Sequence, residues 1–209
     1  TNIKHTYFPL VMNISVKENQ WKFQDSKIKK IGIFTRLDRY KPLDPFFYSF
    51  QLLLDKIPDC ELHIFGNGDP VEQGMIKYLD RLGIAGKVFF RGHQEDIIQT
   101  VKNEHLDLSW FQGYNNDRPA GYAGLDICTT GTPLVCWDFH TNPSNPFNAS
   151  FPHFKNLNNF VNFSLDILKD KEKAETLSLN QFQEVFKTND IENFILDLEN
   201  LYEEYSNKN

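Results

Sequence analysis

The feature that most narrows the fold is an alternation running from Lys29 to Trp137, in which short apolar runs take turns with stretches whose apolar residues fall at helical spacing. Ile31-Gly32-Ile33-Phe34 is a continuous apolar run between lysines and Thr35-Arg36, the pattern of a strand buried on both faces. Asp44 reads as a helix cap with Pro45 behind it, and Phe46, Phe47, Phe50, Leu53 and Leu54 share one face. Glu61 to Phe65, Val88 to Phe90, Leu106 to Trp110 and Leu134 to Trp137 read as further strands. The intervening helices are one opened by Asp69-Pro70 and running to about Leu82, one at Asp96 to Val101, and a short one after Gly121 that stops at Gly131. Such alternation with short connections demands parallel strands joined by right-handed crossovers, an α/β fold with a doubly wound, Rossmann-like sheet flanked by helices. Ligands in that architecture gather at the carboxyl ends of the strands, which directs attention to Arg36, Gly66, Arg91, Phe111 and Asp138.

The rest of the chain frames this unit. Residues 1–28 read as a lead-in, with a small strand at Phe8 to Met12, and Thr141 to Phe154 reads as a loop. Helices around Leu157 to Leu168, Lys171 to Phe186 and Ile191 to Tyr202 close the sequence as extra C-terminal elements. A net charge of −6 argues against a nucleic-acid or anionic-membrane surface, and no window is apolar enough to span a bilayer. Cys60, Cys128 and Cys136 lie in apolar or small-residue segments, as packed, reduced thiols of a cytoplasmic protein do. The start at Thr1, without a targeting pattern, suggests a piece of a longer protein.

Four short segments could carry chemistry. Arg36 and Lys41 follow the first strand, where by themselves they read as solvated surface charge or as two cations on a rigid strand end able to offset an anion. Gly66-Asn67-Gly68-Asp69-Pro70 is a tight turn with a cap. In Val88-Phe89-Phe90-Arg91-Gly92-His93-Gln94, Arg91 and Gln94 stand just past a strand with a planar cation and an amide to offer a ligand, while His93 invites a catalytic-base reading. In the run from Arg118 to Asp138, Pro119, Gly121 and the small residues Ala120 and Ala123 suit a helix wedged into a crowded site. The free N–H groups at its start would attract an anion. Motifs for a P-loop, a zinc site or a serine-hydrolase elbow are absent, and no Asp-x-Asp pair follows a strand, so no metal and no cofactor is expected.

In this order the segments resemble the C-terminal, nucleotide-sugar-binding domain of retaining, family-four-type glycosyltransferases of the GT-B class. Thr35-Arg36-Leu37-Asp38-Arg39-Tyr40-Lys41-Pro42 is similar to G-R-L-x-x-x-K-G, with Thr35 and Pro42 in place of the glycines. Residues 118–134 follow E-x-F-G-x-x-x-x-E-A-x-x-x-G-x-P-V, with Gly121 at the glycine, Asp126 at the second glutamate and Arg118 at the first. The resemblance implies that Arg36 and Lys41 clamp the diphosphate of a UDP- or GDP-linked sugar donor. It also implies that Arg91, Gly92 and Gln94 read the base, that Gly121, Tyr122 and Ala123 present amides, and that Asp126 takes the ribose hydroxyls. At the departure, either Asp117 takes over after a one-residue shift, or Arg118 contacts phosphate or a carboxylated sugar, or transfer is impaired.

The expected partners are thus a nucleotide sugar and an N-terminal acceptor-binding domain outside this chain, through which any peripheral membrane contact would run. The expected organisation is a lead-in over 1–28, a donor domain over 29–186 and a C-terminal helix over 187–209 that crosses to that other domain. By this reading the isolated domain binds nucleotide weakly and transfers little. The rival readings are a non-catalytic subunit on the same fold and another enzyme class such as a sugar-nucleotide epimerase, whose acid and base residues are not evident.

Overall fold

The computed structural model describes residues 10–38, 40–112, 114, 115, 118, 119, 121–138 and 150–206, with 114, 115, 118 and 119 described by backbone alone. In chain order the elements are β1 (Lys29–Phe34), α1 (Asp44–Leu54), β2 (Cys60–Phe65), α2 (Met75–Leu82), β3 (Val88–Gly92), α3 (Ile97–Glu104), β4 (Leu108–Gln112), β5 (Tyr114–Asn115), β6 (Arg118–Pro119), α4 (Tyr122–Thr129), β7 (Leu134–Trp137), β8 (His153–Phe154), α5 (Leu157–Lys169), α6 (Lys171–Asn189) and α7 (Ile191–Ser206). The main sheet has the order β3-β2-β1-β4-β7-β8, and every pairing in it is parallel. The order reverses between β1 and β4, which places the crevice of a doubly wound sheet at their carboxyl ends.

Side chains alternate across this sheet as the strand period dictates. Ile31, Ile33, Leu62, Ile64, Leu108, Trp110 and Val135 face a core shared with α1, α2 and α5. Phe34, Phe65, Phe111, Leu134 and Cys136 face the opposite core with α3, α4 and α6. The first core centres on Phe160, whose ring lies 5.0 Å from Trp110, 5.6 Å from Trp137 and 5.9 Å from Phe46. Trp110 satisfies its buried indole N–H on Ser164 Oγ at 2.9 Å. All three cysteines are buried and free, and burial pushes the Cys60 thiol up to about 12.

Some local expectations shift. Leu43, not Asp44, occupies the N-cap of α1, because Leu43 is buried and its carbonyl receives the amides of Phe46 and Phe47, both at 3.0 Å. Asp44 then sits in the first turn, where a carboxylate complements the helix dipole. The Asp69-Pro70 turn does not run into α2. Asp69 accepts the Val71 amide at 2.7 Å, and Gly74 at φ 71° breaks the chain before Met75. The pair β5/β6 and the strand β8 lie in segments read as loops, each too short to show a period.

In the lead-in, residues 8 and 9 fall outside the described set, while Met12 forms a parallel bridge to Asp190. Asn19 donates to Ser178 Oγ at 2.7 Å, lacing the lead-in to α6. The apolar spacing of α7 reads as packing, yet none of its described residues is buried. No helix among the described residues is long and apolar enough to cross a membrane.

Phe160→Ala is expected to lower the unfolding free energy by about 3–5 kcal/mol, since it empties the centre of the aromatic cluster. Tyr202→Ala, on the exposed face of α7, should stay within about 0.5 kcal/mol of the parent. Urea denaturation of both variants checks the pair.

Candidate functional site

The site is built on the way β1 and β2 leave the sheet side by side. Thr35 N donates to Phe65 O at 2.9 Å and Leu37 N to Asn67 O at 2.7 Å, so the chain after β1 stays paired to the chain after β2. A Cβ on Gly66 would fall inside the Thr35 carbonyl, and one on Gly68 would press on Leu37, so both turn glycines are required by contact. The loop beyond folds on Asp38, which accepts the Tyr40 amide at 2.9 Å and lies 3.8 Å from Arg36 Nε. The Lys41 amide donates to Asp38 O at 3.1 Å, which turns the loop back toward the sheet.

Arg36 and Lys41 thereby line one cavity of about 340 Å³, together with Gly66, His93, Gln94 and Ala123. It lies beyond the carboxyl ends of β1 and β2 and reaches the start of α4. Arg36 is three-quarters exposed, so its pair with Asp38 is weak and the guanidinium is available to a stronger anion. Gly121, at φ 93°, is the N-cap of α4 and has no side chain to cap it, and among the described residues no side-chain cap is found for its first amides.

The remaining predicted residues sit around this cavity in different ways. Gln94 lines it, but its amide donates to Arg91 O at 3.1 Å and its oxygen accepts from Thr100 Oγ1 at 3.3 Å, so it braces the loop after β3. Gly92, at φ 73°, offers its carbonyl to Gly66 N at 2.8 Å and ties the ends of β2 and β3. Arg91 does not line the cavity. Its Nε donates to His63 Nδ1 at 3.2 Å, and its guanidinium lies 5.3 Å from the Phe89 ring.

Tyr122 and Asp126, one turn apart on α4, line a neighbouring cavity of about 260 Å³ shared with Ile98 of α3 and residues 12–16. Burial, with the Asp96 carboxylate nearby, holds Asp126 above the usual carboxylate range. Asp117 lies outside the described residues. Arg118 is described by backbone alone, paired with Asn115 in β5/β6.

Two residues that the sequence reading passed over matter to the site. Gln112 ends β4 at the switch point, where its Nε2 donates to Pro42 O at 2.7 Å and its Oε1 accepts from Thr35 Oγ1 at 3.2 Å. One amide therefore clamps both ends of the loop that carries Arg36 and Lys41. Its signal in the sequence was only a polar residue closing an apolar strand. His63, fully buried on β2, accepts from Arg91 at Nδ1, which leaves the Nε2 proton for Glu61 Oε2 at 3.1 Å. Burial lowers its pKa. Among the described residues no three or more His, Cys, Asp or Glu side chains gather as a metal site.

No family model matches the chain. A curated protein, the poly(glycerol-phosphate) alpha-glucosyltransferase of Bacillus subtilis (strain 168), is 26% identical over 112 residues, which are 53% of this chain and 16% of that protein. Among solved structures, S. aureus TarM, as a variant in complex with fondaparinux, alpha-GlcNAc-glycerol and UDP, superposes with a TM-score of 0.72 at 16% identity, over 93% of this chain and 39% of that one. Sucrose-phosphate synthase from Thermosynechococcus elongatus gives 0.68 at 18% identity, over 97% of this chain and 53% of that one. Anabaena HepE in complex with UDP and glucose gives 0.66 at 17% identity, over 85% of this chain and 49% of that one. The chain therefore spans 16% of the curated relative and 39 to 53% of these structures. What the superpositions establish is the fold, one Rossmann-like lobe of the GT-B architecture.

Gln112→Ala is expected to destabilise the chain by about 0.5–1.5 kcal/mol, the net worth of a hydrogen bond, since the exposed Pro42 carbonyl turns to water and Thr35 Oγ1 keeps Arg36 O. It should also speed amide hydrogen exchange over residues 36–42 while leaving α5 unchanged, and equal exchange in that loop would remove Gln112 from its clamping role. For His63 the linkage runs through a lowered folded pKa. The unfolded chain takes the proton near pH 6.5 and the folded one only at lower pH, so this contribution is intact above about pH 6.5 and lost as pH falls below it. His63→Gln should flatten the stability profile between about pH 7 and 5, read by urea denaturation at each pH.

Proposed function

We propose that this domain binds the diphosphate of a nucleotide-sugar donor and serves sugar transfer in a retaining glycosyltransferase, from a UDP- or GDP-linked donor to a glycan, lipid or other acceptor. The observation that carries the reading is the convergence of Arg36, Lys41 and the start of α4 on one cavity at the carboxyl edge of the sheet. A diphosphate there meets two cations and the amide end of a helix, on backbone whose course is held by hydrogen bonds before the ligand arrives. As the glycosidic bond to the donor breaks, negative charge grows on the departing phosphate oxygen. Preorganised positive groups then stabilise the transition state more than the ground state. Asp126, one turn and a half along the same helix, is within the family pattern for the ribose hydroxyls, and its raised pKa fits a carboxylate awaiting hydrogen-bond donors.

The likeness to proteins named as glucosyltransferase, sucrose-phosphate synthase and UDP-bound TarM and HepE supports this choice of ligand class. The acceptor half of the reaction belongs to whatever accompanies this lobe in a full enzyme. A second reading, a GT-B-like subunit that binds a partner without transferring sugar, is favoured by one observation. Arg118 reverses the charge at the first acidic position of the motif, and the backbone there is held in the β5/β6 pair.

Calorimetric titration with UDP, GDP and their sugars separates these readings. The donor reading expects one nucleotide to bind with a Kd of ~10 μM to 1 mM, about −4 to −7 kcal/mol. Arg36→Ala and Lys41→Ala should each weaken it at least about tenfold, an effect of some 1.4 kcal/mol. No nucleotide binding at millimolar concentration would leave the partner-binding reading in its place.

A further inference from the structure

A cavity at the other edge of the sheet has its own polar lining. Leu106 lies just before β4 and Thr132 just before β7, so the cavity they line sits at the amino ends of the strands, opposite Arg36 and Lys41. It measures about 310 Å³. One wall is Gln20, Trp21, Lys22 and Gln24 of the lead-in, and the other is Lys102 and His105 at the end of α3. Trp21 is fixed there: its Nε1 donates to Leu106 O at 3.2 Å and its backbone N to Asn19 Oδ1 at 3.0 Å.

The charge around this cavity is of one sign. Among the described residues no carboxylate pairs with Lys22, Lys102 or His105, although the chain carries a net charge of −6. His105 is also the sole non-glycine with positive φ among the described residues, at 53°. A glycine or asparagine would end α3 there more easily, whereas a histidine sets an imidazole on the rim. The dipole of α3 accounts for Lys102 and His105 at its carboxyl end. It does not account for Lys22, two amides and an immobilised indole on the facing wall.

We infer that this cavity binds an anionic polyol: a phosphate-bearing sugar or a phosphodiester-linked polyol chain. The phosphate sits between Lys22 and Lys102, the Gln20 and Gln24 amides take hydroxyls, and the carbon face of the polyol lies on Trp21. The inference does not rest on the donor site, which lies at the opposite edge of the sheet.

The test uses Trp21 as its own reporter. Trp110 and Trp137 are 0% and 8% exposed, so a ligand in this cavity perturbs the fluorescence of Trp21. The whole chain is titrated with a glycerol-phosphate oligomer and, in parallel, with maltotetraose, a neutral glycan. The expected result is a saturable change with the phosphodiester oligomer that weakens as salt rises from about 50 to 200 mM. The change should vanish in Trp21→Phe and shift to at least tenfold higher concentration in the Lys22→Glu/Lys102→Glu variant. Both lysines are exposed, and circular dichroism is the check that this variant is folded. Absence of a saturable change, equal affinity in the charge-reversed variant, or an equal response to maltotetraose would overturn the proposal.

Discussion

The site depends on a close approach of two backbones. Where β1 and β2 end, Gly66 lies so near the Thr35 carbonyl that no side chain fits, and Gly68 lies close against Leu37. That approach lets the chain after β1 pair with the chain after β2 through Phe65 O and Asn67 O. The loop carrying Arg36 and Lys41 is thus an extension of the sheet, and Gln112 fastens its far end from β4. The backbone that carries the two cations is therefore fixed, while the exposed Arg36 side chain keeps its freedom.

Behind the site, the same parallel sheet is buried on both faces, and each face has its own helices. The aromatic cluster around Phe160 and Trp110 fills the α1/α5 side, while on the α3/α4 side Ala123, Tyr122 and Asp126 line the two candidate cavities. The lead-in contributes to that second side, because Met12 and Ile14 are buried in its core and Asn19 bonds to α6. The lead-in thereby shapes two of the cavities beside α3.

Much of this was legible in the residues. The continuous run Ile31 to Phe34 and the strand Leu134 to Trp137 announced a doubly buried parallel sheet, since an exposed strand would alternate. Arg36 and Lys41 were legible as a pair because both follow a strand end. Their shared cavity depends on Asp38 and Gln112, whose hydrogen bonds cross from one loop to another and leave no periodic trace. Leu43 took the cap from Asp44 because burial of a leucine outweighs a capping bond, a competition that local propensity does not register. The strand β8 was hidden for a different reason: two residues beside a sheet edge show no period at all. Arg91 matched a base-reading motif by position, while the buried His63 that holds its guanidinium lies 28 residues away in the chain.

The two edges of the sheet now carry distinct chemistry, with Arg36 and Lys41 at the carboxyl ends and Lys22, Lys102 and Trp21 at the amino ends. We propose the first of these as a diphosphate site. A crystal structure of this chain grown with saturating UDP is the decisive measurement. A diphosphate site requires the diphosphate between the Arg36 guanidinium, the Lys41 ammonium and the first amides of α4. Density for the nucleotide at any other surface, with the cavity between Arg36 and Ala123 left empty, would contradict it.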